Sequence, residues 1–173
     1  PLPPNDAGVV GLSFNPGLIE PGTTAFAGAR KPLAAAFDCN GQRIVVVNNH
    51  FSSKGGSTPI NGAIQPFVNG SEGERRAQTA IVNQFVDDAL AIDANANVVV
   101  LGDMNEFTFE EPLQILAGAD DSSNVLSDLF DVTGLDQLER YTFIFNGNSQ
   151  ALDHIFVTDA LASASPVVDI VHT

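Results

Sequence analysis

The chain has 173 residues, 44% of them hydrophobic, and 21 acidic side chains face 7 basic ones for a formal net charge of −14. That length suits one domain or most of one, with enough apolar material for a packed core. The charge excludes a protein that coats nucleic acid through a basic stripe, but not an enzyme that meets phosphate esters through a divalent cation.

Residues 1–30 hold five of the ten prolines and read as loops around short extended pieces, with residues 1–13 linker-like. Leu33 to Phe37 is a short apolar run, and Cys39, the single cysteine, reads as a small buried strand residue outside any disulfide. Asn40-Gly41 supplies a hairpin turn into the β-branched run Ile44-Val45-Val46-Val47. Residues 52–70 form a long Gly/Ser/Pro/Asn-rich loop, of the kind that often carries function. Ser71-Glu72-Gly73-Glu74 matches a capping box, and the helix it opens runs to about Ala91 with Ala77, Ile81, Phe85 and Ala89 as its buried stripe.

Val98-Val99-Val100-Leu101 is an unbroken apolar run, which predicts a strand covered on both faces. Short helices are expected at 112–117 and 124–130. Tyr141 to Phe145 and Ala151 to Val157 read as strands joined by the turn Asn146-Gly147-Asn148-Ser149, and Val167 to Val171 as a last strand. This order gives a mixed α/β layered domain rather than a doubly wound parallel sheet. No apolar run approaches the ~20 residues of a membrane span.

Polar residues at strand ends carry the candidate chemistry. Asp103 and Asn105 follow the strand at 97–101; in extended backbone, period two places them on one side, where a carboxylate and an amide serve a hard cation and a phosphoryl oxygen together. Taken alone they also read as turn residues. His50 ends another buried strand, placed to donate a proton to a leaving oxygen or to steady a phosphate. Lys54 lies in Ser52-Ser53-Lys54-Gly55-Gly56, which is not a P-loop, and reads alone as a solvated lysine. Asp153 and His154 point to opposite faces of their strand, so they do not serve one site together; the carboxylate is of the kind that orients a catalytic imidazole. Arg75, Arg76 and Gln78 read as surface or salt-bridge residues, Asp120 to Asn124 as a solvated acidic loop, and Asn69-Gly70-Ser71 as a common glycosylation pattern. A Ser-His-Asp hydrolase elbow and a Cys/His zinc cluster are both excluded.

Four segments occur in a telling order: Asn48-Asn49-His50-Phe51-Ser52-Ser53-Lys54-Gly55-Gly56, Arg75-Arg76-Ala77-Gln78, Gly102-Asp103-Met104-Asn105-Glu106-Phe107 and Leu152-Asp153-His154-Ile155-Phe156-Val157. The set resembles the endonuclease/exonuclease/phosphatase superfamily, most of all its bacterial secreted nucleases, a subgroup that Asn15-Pro16-Gly17 and Arg30-Lys31-Pro32-Leu33 also resemble. The resemblance implies an α/β fold of two packed mixed β-sheets flanked by helices, a deoxyribonuclease I-like four-layer sandwich. It implies Mg²⁺, or Mn²⁺ or Ca²⁺, and hydrolysis of a phosphodiester by activated water. Asp103 would then ligate the metal and position the water, Asn105 would hold the scissile phosphate, His50 would contact phosphate or assist the leaving group, and Asp153 would orient the catalytic histidine. Lys54 and Arg30 would be phosphate contacts.

The family also carries an asparagine and a metal-ligating glutamate early in the domain, and a closing Ser-Asp-His segment, and this sequence matches neither. Glu20 stands in different surroundings, Asp153-His154 opens an apolar strand instead, and His172 matches a strand end upstream of the closing segment. The resemblance therefore implies the C-terminal part of such a domain, residues 1–173 being one domain incomplete at both ends and inactive or nearly so alone. Its partners would be nucleic acid or another phosphodiester, together with the remainder of the parent polypeptide, in a secreted or cell-surface setting. A phospholipid or sugar-phosphate phosphoesterase and a non-catalytic binding module of a surface protein are the competing functions.

Overall fold

A computed structural model describes residues 14–119 and 126–172. The linker-like residues 1–13 and the acidic loop of Asp120 to Asn124 lie outside them. Strand β1 (Gly17–Leu18) is followed by a 3₁₀ turn at Thr24–Phe26, then by the hairpin β2 (Leu33–Cys39) and β3 (Gln42–His50). Asn40 and Gly41 close this hairpin with φ of 54° and 80°, the two left-handed positions that an Asn-Gly turn supplies at little cost. The long loop leads into helix α1 (Glu72–Ile92), after which β4 (Asn97–Asp103) returns parallel to β3. Then come α2 (Glu111–Ala117), β5 (Ser127–Asp128), α3 (Leu129–Val132), β6 (Phe143–Phe145), β7 (Asn148–Gln150), β8 (Asp153–Val157) and α4 (Asp159–Ala162).

Six strands form one mixed sheet in the order β1-β2-β3-β4-β8-β5, and β6-β7 form a second, two-stranded sheet. This is the expected mixed α/β architecture of two sheets with flanking helices. The main sheet is two-sided in character. Ala34, Ala36, Val45, Val47, Val98 and Val100 point to one face, where they pack with Val82, Phe85, Val86 and Ala89 of α1, Leu113 and Leu116 of α2, and Phe26. The opposite face carries Ala35, Ile44, Val46, Val99 and Leu101, all half-buried, and Leu33, Phe37 and Ile155, all exposed. The apolar run at 98–101 thus has one covered face rather than the expected two. Strands written with β-branched residues on both sides are suited to a layer on each face, and only one layer is present among the described residues.

Several expectations change with the structure. Residues 167–171 form no strand: Val167 and Val171 are 90% and 81% exposed, and Val168, Asp169 and Ile170 border a cavity of about 210 Å³ with Leu101, Asp153 and Ile155 instead of pairing. The hairpin expected between 141–145 and 151–157 is the shorter pair β6-β7, turning at Asn146-Gly147, because β8 is taken by β4 on one side and β5 on the other. Of the helix expected at 124–130, residues 127 and 128 are strand, and one helical turn follows at 129–132. Ser71 is the N-cap of α1, but at φ 56° its side chain makes no capping bond, so the capping box does not form. Ala77 is exposed; the buried face is turned so that Arg75, Gln78, Thr79, Val82, Asn83, Phe85, Val86 and Ala89 point inward. Cys39 is exposed, since β2 has reached the hairpin turn there, beyond the cover of the helices.

Gly102 is the one position in β4 that no other residue fits. Its φ is 131°, and a Cβ there would collide with the backbone carbonyl of Asn49 on the neighbouring strand. Gly102→Ala is expected to destabilise the fold by about 2–4 kcal/mol, a sum of backbone strain and displaced packing, measured as a lower urea midpoint. A midpoint unchanged from wild type would mean that the two strands separate freely at this position.

Candidate active site

The strand register builds the site. His50 ends β3 opposite Asp103 at the end of β4, and Asp103 lies opposite Asp153 at the start of β8. Three polar residues from three adjacent strands therefore form one row. By strand alternation the row lies on the open face, beside Leu101 and Ile155. His50 Nε2 stands 3.6 Å from Asp103 Oδ2, and the two side chains are 38% and 32% exposed. Beneath the row, Asn49 points inward and donates from Nδ2 to Val47 O at 3.1 Å and Leu101 O at 3.2 Å, lacing β3 to β4 next to Gly102. Its Oδ1 is buried without a partner among the described residues, so this lacing leaves one acceptor unsatisfied.

Asp103 sits in opposing fields. Burial raises its carboxyl above the ordinary range and the Asp153 carboxylate adds to that, while the Asn105 N–H, His50 and Arg30 act against it. Arg30 lies on an exposed loop.

Asn105 differs from the expectation. The chain leaves the extended region after Asp103, and Asn105 has φ 50°. The same-side placement by period two therefore fails: Asn105 is 9% exposed and Asp103 is far more open. Asn105 N–H donates to Asp103 Oδ1 at 2.9 Å, and its Nδ2 donates to Phe51 O at 3.1 Å. It is a turn residue and a carboxylate-orienting residue at once.

Lys54 is not a solvated lysine. Its ammonium donates to Glu106 Oε1 and to Asn69 Oδ1, both at 2.5 Å, and lies over the Phe107 ring. Burial holds Lys54 below the usual lysine range even though Glu106 draws it the other way. The cause of its capture is Glu106, fully buried just after the motif. Glu106 Oε2 accepts from Arg75 Nε at 2.9 Å and from Asn69 Nδ2 at 2.9 Å, and Arg75 continues to Ser52 O, Ser53 O and Asn69 Oδ1. Arg75 is thus a salt-bridge residue, as the sequence allows, but a buried one; Arg76 pairs with Glu111 on the surface. Gln78 is also buried: it accepts from Ser52 N and donates to Ala25 O and Ser52 Oγ. Asn69, the first residue of the glycosylation pattern, has its amide fully engaged in this cluster.

Burial alone would raise the Glu106 carboxyl, but hydrogen bonds from Lys54 and Asn69 and the charges of Lys54 and Arg75 outweigh it and hold the carboxyl below the usual range. A depressed carboxyl contributes stability above its unfolded value, ~4.3 for glutamate, and loses it as pH falls through the lower folded value. The urea midpoint of the wild type should fall more steeply than that of Glu106→Gln as pH drops below that point. Parallel curves would mean that Glu106 is not held as a charged group.

His154, on the inward face of β8, binds Asp128 Oδ2 through Nδ1 at 2.9 Å, and its Nε2 lies 3.2 Å from Glu106 O. Its carboxylate partner is therefore Asp128 rather than Asp153, and the two neighbours Asp153 and His154 do point to opposite faces. His172 stacks on Tyr141 at a centroid distance of 3.8 Å and pairs with Glu139.

Sequence reading missed Glu106, Asn69 and Asp128. The one signal available was for Glu106, which directly follows the strand-end motif.

Residues 13–168 match the model of the Endonuclease/Exonuclease/phosphatase family. The chain belongs to that family. No curated protein matches it by sequence. Among solved structures it is similar to truncated TDP2 of Caenorhabditis elegans, with a TM-score of 0.53 and 16% identity over 74% of this chain and 46% of that one. It is similar to D. rerio TDP2 complexed with a single-strand DNA product, with a TM-score of 0.52 and 19% identity over 78% of this chain and 50% of that one. The human Nocturnin catalytic domain, solved with a bound sulfate anion, gives a TM-score of 0.52 and 18% identity over 75% of this chain and 41% of that one. At these identities the likeness is one of fold, and the chain spans half or less of each neighbour. Members of this family are hydrolytic enzymes that generally use divalent metals.

The donor set bears on such a metal. Asp103 and Asp153 place two carboxylates side by side, which suits a hard cation. Among the described residues, however, no three His, Cys, Asp or Glu side chains come together to hold one. These residues do not fit a metal by themselves. Among the described residues no helix is long and apolar enough to cross a membrane.

Proposed function

We propose that this chain carries one part of the active site of a metal-dependent phosphodiester hydrolase, most specifically an extracellular nuclease, and that the polypeptide covering its open sheet face carries the other part. The observation that supports this most is the placement of His50, Asp103 and Asp153 in one register row at the polar edge of an apolar sheet face that is only partly covered among the described residues. A layer packed on Ile44, Val46, Val99, Leu101 and Ile155 would end beside that row, so covering the apolar face and completing the site would be one event. The chain spans 46% of one structural neighbour and 41% of another, so each of those chains holds further polypeptide beyond the matched part.

In this reading Asp103 is this chain's contribution to the metal, oriented by the Asn105 N–H. His50 stands against its outer oxygen, placed to contact a phosphoryl oxygen or to pass a proton to the leaving group. Arg30, on an exposed loop, is assigned as a phosphate contact by the family resemblance. Lys54 and the Asn105 amide are committed to internal partners, so direct substrate contact is assigned to His50, Asp103 and Arg30. A preorganised field is what makes phosphoryl transfer fast, and half of one is expected to give little rate alone. The secreted or cell-surface setting belongs to the same proposal through the nuclease resemblance.

Substrate class is tested with the complete parent protein on single-stranded DNA, duplex DNA, RNA, a phospholipid and a sugar phosphate, each with Mg²⁺. Cleavage of a nucleic acid above the others is the expected result. Preference for the phospholipid or sugar phosphate moves the reading within the hydrolases, and turnover of none of them favours a binding module.

A further inference from the structure

Glu106 has no part in the chemistry just described, yet it joins the segments that surround it. Its carboxylate receives Lys54 and Asn69 from the long loop and Arg75 from α1, and its carbonyl oxygen lies 3.2 Å from His154 Nε2 of β8. The same oxygen that takes Lys54 also takes the Phe107 N–H at 3.1 Å. Glu106 is thereby held on both sides of its own Cα, through side chain and backbone together. The residue before it, Asn105, adopts a left-handed φ of 50°, a region that asparagine enters and leaves more readily than most residues unless its neighbours are held. Asn105 in turn aims its N–H at Asp103 Oδ1 at 2.9 Å, while Oδ2 faces His50.

We propose that Glu106 is a positioning residue: by clamping the chain immediately after Asn105 it holds that residue left-handed, and so fixes which way the Asp103 carboxylate points. The consequence for catalysis rests on the hydrolase reading above, but the geometric claim does not. The chain of control runs from a buried charge cluster on the helix-covered side of the sheet to an open carboxylate on the other side, through one peptide turn. A neutral amide at position 106 keeps the shape of the side chain while removing the charge that gathers Lys54 and Arg75. A loosened turn then lets Asn105 leave its left-handed conformation.

The test is amide hydrogen exchange, together with the side-chain rotamer of Asp103 from NMR three-bond couplings, on this chain and its Glu106→Gln variant. In the wild type Asn105 N–H is protected and Asp103 occupies one χ1 rotamer. In Glu106→Gln the protection of Asn105 should fall by about tenfold or more, and Asp103 should average over rotamers, while Val98 and Val100 in β4 keep their protection. Unchanged Asn105 protection and a single Asp103 rotamer in the variant would overturn the proposal. So would an equal loss of protection throughout β3 and β4, which would make Glu106 a general stabiliser. If Glu106→Gln does not fold, Asn69→Leu serves instead: it removes one donor to Glu106 and the acceptor that Lys54 and Arg75 share, and Asn105 and Asp103 unchanged in that variant would equally overturn it. Neither measurement involves turnover, so an inactive chain leaves this result standing and a rigid Asp103 leaves the hydrolase reading standing.

Discussion

Arg75→Ala is expected to destabilise the protein by about 3–5 kcal/mol, the range for removing one partner of a buried ion pair. Arg75 is wholly buried and holds Glu106, Asn69 and the carbonyls of Ser52 and Ser53. Its loss leaves a fully buried carboxylate with Lys54 as its remaining cationic partner among the described residues and takes the Arg75 donor from two loop carbonyls. The long loop after β3 would then lose its Arg75 anchor to α1 and keep the bonds of Gln78 to Ser52. In a domain of this size each kcal/mol lowers the melting temperature by ~2–4 °C, so calorimetry should register a fall of roughly 6–20 °C. Arg75→Lys should recover little of it, because an ammonium cannot reach the carboxylate, the amide and the carbonyls together from one planar fork. A melting temperature within a degree of wild type would mean that the cluster contributes no net stability, as some buried ion pairs do not.

The second large effect is on activity. Asp103→Ala in the complete protein is expected to lower turnover on the order of 10²–10³-fold, the range for removing one preorganised charged or hydrogen-bonding group from such a site. Its fold should suffer much less, since the side chain is partly exposed and its bonds are to the Asn105 N–H and, at longer range, His50. Loss of turnover with an unchanged urea midpoint separates a functional role from a structural one. His50→Ala should act in the same direction and, because the two side chains meet, less than additively with Asp103→Ala.

Local signals were the most legible part of the sequence. Asn40-Gly41 gave its hairpin, the β-branched runs gave β3 and β4, and the strand ends gave His50, Asp103 and Asp153, which register then drew into one row. What sequence could not give was the use of the buried polar residues. Arg75 and Gln78 look like surface residues on a helix, and only the tertiary approach of Glu106 and Ser52 draws them inward. Lys54 was misread for the same reason: nothing local announces a carboxylate 52 positions later. Asn105 failed because period two holds only while the backbone stays extended, and the turn at φ 50° ends that one residue after the strand-end turn begins. The run at 98–101 was read as covered on both faces, and the second face is open among the described residues. The residues are suited to a full layer that the described residues do not provide. Residues 167–171 have strand composition but pair with no strand among the described residues, and composition alone makes no strand without a partner.

The central claim is that the row of His50, Asp103 and Asp153 is one part of a hydrolytic site completed by polypeptide on the open face. The most direct measurement is Mg²⁺-dependent hydrolysis of DNA and of a small phosphodiester by three samples: this chain alone, the complete parent protein, and the parent carrying Asp103→Ala. The expected result is negligible turnover by the chain alone, robust turnover by the parent, and its loss in the variant. Robust turnover by the chain alone that Asp103→Ala abolishes would contradict the need for completion, and full activity in the variant parent would contradict the site itself.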